Sequence, residues 1–140
     1  MMDTLVALYH VFPDGRAGLA LLLLRVFVGV AFVFHGSGKS KDVAAFAAEF
    51  GVPKPLAVAG AYTQVACGLL LLAGLATPLA SFAIGSIMAV AVAKLIARGE
   101  RFVNPDGHSW EAAGFYLVAC AGLTLLGPGA YSLDRALFAG

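Results

Sequence analysis

Charge is scarce in this sequence. Only 12% of its 140 residues are Asp, Glu, Lys or Arg, whereas 61% are hydrophobic; an average soluble domain is about 25% charged. A chain this short keeps much of its surface in water when it folds alone, so the composition excludes an ordinary soluble enzyme. High hydrophobicity also excludes a disordered chain. A formal net charge of +1 gives no basic field for binding nucleic acid.

Cysteine and histidine are also few. Cys67 and Cys120 lie in apolar runs without a Cys-x-x-Cys motif, which argues against a thiol–disulfide enzyme and favours buried structural thiols. His35, His108 and Glu111 are residue types that bind metals, but the neighbouring lysines and arginine disfavour a bound cation. We therefore expect no metal site and no intrinsic cofactor.

Long apolar runs dominate the sequence. Four of them approach the roughly 20 residues that a helix needs to cross the hydrocarbon core of a bilayer, over residues 17–34, 55–76, 78–97 and 108–126. These spans leave only short connections, so we predict a single transmembrane domain over residues 1–140. The expected fold class is all-α: an integral membrane four-helix bundle, whose backbone polar groups pair within the helices.

The connection between the first two spans has a pattern of its own. Within Lys41–Phe50, apolar residues recur at helical spacing, which predicts a short interfacial amphipathic helix. Lysines and arginines are concentrated on this side, so the positive-inside rule places it in the cytoplasm and both termini outside. Residues 1–16 lack a basic stretch and a small-residue cleavage site, so we expect them to be retained rather than removed as a signal peptide.

Polar residues within the spans are the candidates for function. A charge at mid-bilayer costs about 2.5–3.5 kcal/mol on insertion scales, so Arg25, in the first span, needs compensation. Helical spacing puts Gly29, Gly36 and Lys39 on the same side of that helix, and the two glycines should allow close approach of a neighbour. Gln64 is expected at a depth similar to that of Arg25.

The remaining candidates are predicted to converge with these in one half of the bundle, with His108 and Glu111 near one face of the fourth helix. One interpretation is a polar cavity that binds a small molecule or relays protons; the other is a structural network in which Arg25 pairs with Glu111 or with backbone carbonyls. The positive character of the set suits an anion or a quinone head group. No catalytic residue is assigned, and the predicted ligand-binding residues are Arg25, His35, Lys39, Gln64, Lys94, His108 and Glu111.

Three segments carry a resemblance to a known family. These are RVFVGVAFVFHGSGK at residues 25–39, the glycine- and proline-bearing stretches from 51 to 78, and GPGAYSLD at residues 127–134. Together they resemble the DoxX family over about residues 17–135. The sequence departs from many relatives at Gln64, where a glutamate is common, and at Lys94, where a histidine is frequent. The change to Gln64 removes an obvious countercharge for Arg25.

The resemblance implies a membrane subunit of a redox complex, quinone-linked and acting on a sulfur compound, in a bacterial inner membrane. A quinone would be the ligand, and a partner would supply the redox centre, because no flavin, haem or iron–sulfur motif occurs here. Expected partners are the lipid bilayer and other membrane or membrane-associated subunits, a second copy among them. Two alternatives stay open: a structural or assembly subunit without chemistry of its own, and a small-solute carrier, against which no inverted repeat is evident.

Overall fold

The computed structural model describes residues 12–138. All regular elements in that range are helices, which confirms the all-α prediction. Three helices, Gly15–Lys41, Lys54–Ala73 and Thr77–Ala97, are long and apolar enough to cross a membrane, whereas Glu111–Leu126 has 16 residues. The predictions made for residues 1–11 lie outside the described residues. The helices are α1 (Gly15–Lys41), α2 (Val43–Phe50), α3 (Lys54–Ala73), α4 (Thr77–Ala97), α5 (Glu111–Leu126) and α6 (Leu133–Phe138).

The first helix is longer than the apolar run predicts. It continues past Phe34 to Lys41, although Gly36 and Gly38 lower helix propensity there. Gly36 is buried against α3, where an added Cβ would lie 2.8 Å from the carbonyl oxygen of Ala61. Tertiary packing therefore outweighs propensity, and the helix carries Lys39 on its last turns.

Glycines also set how closely α1 and α3 approach. A Cβ on Gly29 would lie 2.9 Å from the carbonyl oxygen of Gly68, and the reverse contact has the same distance. Close packing of small residues is a common way to join helices in lipid. The predicted role of Gly29 and Gly36 is confirmed, and their contacts fix the register between the two antiparallel helices.

The helix ends follow from local chemistry. Gly74 ends α3 in the left-handed conformation, with φ of 68°, and Pro78 occupies the first turn of α4, where its missing N–H costs nothing. The α4–α5 loop extends further than predicted, because the Asn104 side chain bonds the backbone of Asp106 and His108. As a result α5 begins at Glu111, and His108 lies outside it.

The core lies between α1, α3, α4 and α5. Phe32, Leu71, Ile84 and Leu123 are fully buried in it. Cys120 is buried there too, and Cys67 is half-buried against it, as expected for structural thiols. Large apolar side chains cover the outside of the same helices, among them Leu23, Phe27, Leu69, Phe82, Val90 and Leu125.

Candidate functional site

The polar residues of the spans separate into two groups at opposite ends of the molecule. Gly29 lies against Gly68, and Gly36 against Ala61, so the end of α1 that carries Arg25 lies beside Gly74. Gln64 is ten residues from Gly74 along α3, or about 15 Å at 1.5 Å per residue. The prediction that Arg25 and Gln64 share one depth is therefore wrong, and so is the convergence of all seven candidates.

The Arg25 cluster consists of Arg25, Gly74, Thr77, Tyr131 and Asp134. Arg25 is 1% exposed, and its Nη2 donates to the carbonyl oxygen of Tyr131 at 2.5 Å. Gly74 is so close that a Cβ there would lie 1.8 Å from Nη1. Of the two pairings that the sequence left open, the structure has the one with a backbone carbonyl rather than with Glu111.

Asp134 was missed as a functional candidate by sequence reasoning. It is fully buried, accepts hydrogen bonds from the backbone N–H groups of Ala76 at 2.7 Å and Thr77 at 2.9 Å, and acts electrostatically on Arg25. Its carboxylate thus satisfies two donors at the N-terminus of α4, where negative charge is favoured. Its place in the GPGAYSLD motif was the one feature of the sequence that pointed to Asp134. That motif does not show that Asp134 contacts the start of α4, because Thr77 lies 57 residues earlier in the chain.

A second site, the lysine pocket, lies at the other end of the molecule. It is a cavity of about 260 Å³ between α2, α3 and α4, with Lys39 of α1 reaching it. Apolar side chains form most of its wall, and its charged residues are Lys39 and Lys94. Leu56 and Val90 line it and are also exposed on the outer surface, so the cavity opens sideways between α3 and α4. The other lining residues are Phe46, Phe50, Val52, Ala57, Gly60, Ser86, Ile87, Met88 and Ala91.

Lys39 is held at the pocket by weak partners. Its Nζ donates to Oε1 of Gln64 at 3.2 Å, and it lies 4.7 Å and 5.7 Å from the ring centroids of Phe46 and Phe50. Contacts of this kind between a cation and ring faces are attractive. Gln64 is fully buried, and its Nε2 has no hydrogen-bond partner among the described residues. The structure therefore joins two of the predicted residues, Lys39 and Gln64.

Lys94 and Arg98 fasten α2 over the pocket. The Nζ of Lys94 donates to the carbonyl oxygens of Phe50 at 2.5 Å and Gly51 at 3.4 Å, and Arg98 donates to that of Glu49. Unpaired carbonyls and the negative end of the helix dipole both favour cations at a helix C-terminus. At its other end, α2 is capped by the Asp42 side chain, which accepts from the N–H of Ala45 at 2.9 Å.

Three predicted residues lie in neither group. His35 is exposed and contacts the rings of Phe32 and Tyr116. His108 lies in the α4–α5 loop, so its predicted place on one helical face with Glu111 is wrong. The helical face that follows Glu111 turns outward, with Val118 71% exposed. No group of three or more His, Cys, Asp or Glu side chains placed to hold a metal ion occurs within residues 12–138.

The helices and their outer surface define a class of protein. Helices long and apolar enough to cross a bilayer, covered by large exposed apolar side chains, are those of an integral membrane protein in contact with lipid. A family model described as DoxX matches residues 20–97. The chain belongs to the DoxX family. No match was found among the curated proteins or among the solved structures.

Proposed function

We propose that this protein is the membrane subunit of a quinone-linked redox complex, and that the lysine pocket binds the quinone head group. The observation that carries the proposal is the shape and chemistry of that pocket: an apolar cavity lined by two lysines, with the exposed apolar side chains of Leu56 and Val90 at its edge. Ligand sites are commonly apolar with a few polar groups that fix orientation. A quinone matches such a site, because it combines an apolar tail with two carbonyl oxygens that accept hydrogen bonds.

In this proposal, the residues of the chain bind and orient the quinone. The Nζ of Lys39 donates to a carbonyl oxygen of the ring, Gln64 holds that lysine in place, and Lys94 keeps α2 closed over the head group. The redox centre belongs to a partner subunit, which exchanges electrons with the bound quinone. Membership of the DoxX family supports the redox link, and a sulfur compound is the substrate class that the family resemblance favours.

The proposal includes an arrangement in the membrane. All four apolar helices cross it, α2 lies at the interface, and the end with the lysine pocket faces the cytoplasm of a bacterial cell. The distribution of charge supports this orientation, since cytoplasmic loops carry an excess of lysine and arginine. The pocket end carries Lys39, Lys41, Lys54, Lys94, Arg98 and Arg101, whereas the described residues at the other end carry Arg16 and Arg135.

Filling the pocket tests the proposal. Gly60 lines it, and an added Cβ there would meet no atom of residues 12–138 within 4 Å, so Gly60→Leu should occupy the space without disturbing the helices. We expect this variant to bind 2-methyl-3-isoprenyl-1,4-naphthoquinone at least about tenfold more weakly than the unchanged protein, in nanodiscs of phosphatidylcholine. Loss of roughly that factor corresponds to about 1.4 kcal/mol of binding free energy.

Gly122→Leu is the matched control. Gly122 is also a helical glycine whose Cβ would meet nothing within 4 Å, but it lies on α5, away from the pocket. This control should leave the dissociation constant unchanged. Equal affinities for Gly60→Leu and the unchanged protein, or no saturable binding to either, would contradict the proposed function and favour a purely structural subunit.

A further inference from the structure

The described part of the lysine pocket is lined by two lysines and by no acid. Of residues 12–138, Lys39 and Lys94 line it, and no aspartate or glutamate does. Glu49 acts electrostatically on Lys39, but it is exposed on α2 and lies outside the lining. Uncompensated charge is costly in surroundings of low polarity, so an anion in the cavity would relieve that cost.

The two lysines differ in what they offer a ligand. Lys94 is bonded to two carbonyl oxygens at the end of α2. Within the part of the chain that the structure describes, Lys39 has one hydrogen bond, to Gln64, and two ring faces beside it. Because an ammonium group has three donors, Lys39 keeps N–H groups for a further acceptor.

The direction of the Lys39 side chain argues against an ordinary helix-end lysine. Lysines near the ends of membrane helices extend their amines outward to the head groups. The α1–α3 register places Lys39 level with the first turns of α3, whereas Gln64, its partner, lies farther into the membrane-spanning part of that helix. The ammonium group therefore points inward, towards Gln64 and towards the rings of Phe46 and Phe50, and the two rings line the cavity.

We infer that the lysine pocket selects amphiphiles whose head group carries a negative charge, and that Lys39 is the residue that binds the charged group. The inference rests on the proposed function and narrows its ligand class. The pocket favours a quinone-type head group with an ionised ring oxygen, such as a hydroxyquinone anion, over the neutral quinone with the same tail. The ionised oxygen accepts from Nζ of Lys39, while the tail extends sideways past Leu56 and Val90.

Two probes that differ in one ring substituent test the inference. A 2-hydroxy-3-alkyl-1,4-naphthoquinone is ionised at neutral pH, and the 2-methyl compound with the same alkyl chain is neutral. We expect the unchanged protein, in nanodiscs of phosphatidylcholine, to bind the ionised probe about tenfold more tightly, which is the scale of one hydrogen bond to a charged group. Lys39→Met should abolish this preference, because the neutral probe loses one hydrogen bond to its ring whereas the ionised probe loses a hydrogen bond to a charged oxygen, so the affinity for the ionised probe falls about tenfold more.

Lys41→Met is the matched control, because it removes a positive charge from the same helix at an exposed position outside the pocket. It should retain the preference. Lys39→Gln serves as a second variant if Lys39→Met does not yield a folded protein. Equal affinities of the unchanged protein for the two probes, or a preference that survives in both Lys39 variants, would overturn the inference and leave the proposed quinone site standing. Failure of both probes to bind would overturn the site as well.

Discussion

Asp134 joins segments that lie far apart in the sequence. Its two carboxylate oxygens accept from the N–H groups of Ala76 and Thr77 at the start of α4, and its own N–H donates to the carbonyl oxygen of Gly74 at 2.9 Å. Arg25 reaches the same place from α1 and bonds Tyr131. The Arg25 cluster thus joins the segment that follows α5 to the α3–α4 turn, and contacts of this kind stabilise a fold.

Replacing Asp134 should therefore destabilise the protein strongly. Asp134→Ala leaves a buried N–H group at Thr77 and a part-buried one at Ala76 without partners and removes the acid that acts on Arg25, so we expect the free energy of unfolding to fall by about 2–4 kcal/mol. Reversible unfolding by SDS in mixed micelles measures this change. Asp106→Ala, in the exposed α4–α5 loop, should change it by less than about 0.5 kcal/mol.

Asp134→Asn is a second variant for this measurement. Because the amide keeps one acceptor oxygen, this variant should lose less stability than Asp134→Ala. If Asp134→Ala unfolded like Asp106→Ala, the cluster would have no structural role.

The burial of Arg25 was predictable, since a charge within a span must be sheltered. Its partners were not, because they belong to a segment after the last apolar run, where hydropathy carries no information about contacts.

Helix lengths show where sequence patterns succeed and fail. The apolar runs located all four apolar helices, α1, α3, α4 and the shorter α5, and the spacing of apolar residues after Lys41 located α2. The errors lie at the ends: α1 continues for seven residues because Gly36 packs against α3, and α5 starts late because Asn104 holds the preceding loop. Both outcomes depend on contacts that a hydropathy pattern does not contain.

The short helix α5 gives a prediction about membrane crossing. Its 16 residues span about 24 Å, somewhat less than the about 30 Å of hydrocarbon, so its crossing should be tested directly. With a membrane-impermeant maleimide on intact spheroplasts, Arg135→Cys should react from outside, and Asp106→Cys only after permeabilisation. Both positions are exposed and flank α5.

The unsubstituted protein controls for the native thiols. Cys120 is buried and Cys67 is half-buried, so both should take little label. Reaction of both introduced cysteines from one side would show that α5 does not cross the membrane. Reaction of Asp106→Cys alone from outside would reverse the proposed orientation.

At the scale of the whole molecule, the two groups of polar residues have different roles. The Arg25 cluster closes one end of the helices through backbone contacts, and the lysine pocket leaves a cavity at the other end, beneath α2. Most of the polar residues in these two groups could be identified from the sequence, and so could the positive charge of the binding site. It could not separate them into two groups, since that requires the register between α1 and α3, which is set by glycine contacts rather than by hydropathy.

The central claim is that a quinone enters the lysine pocket sideways between α3 and α4. Photo-crosslinking in nanodiscs, with a quinone that carries a diazirine on its tail, followed by mapping of the labelled peptides, tests it most directly. A quinone in the lysine pocket should label residues around Leu56 and Val90, and this labelling should be abolished by Gly60→Leu and retained by Gly122→Leu. Labelling spread over outward-facing residues such as Leu23 and Leu125, and indifferent to Gly60→Leu, would contradict it.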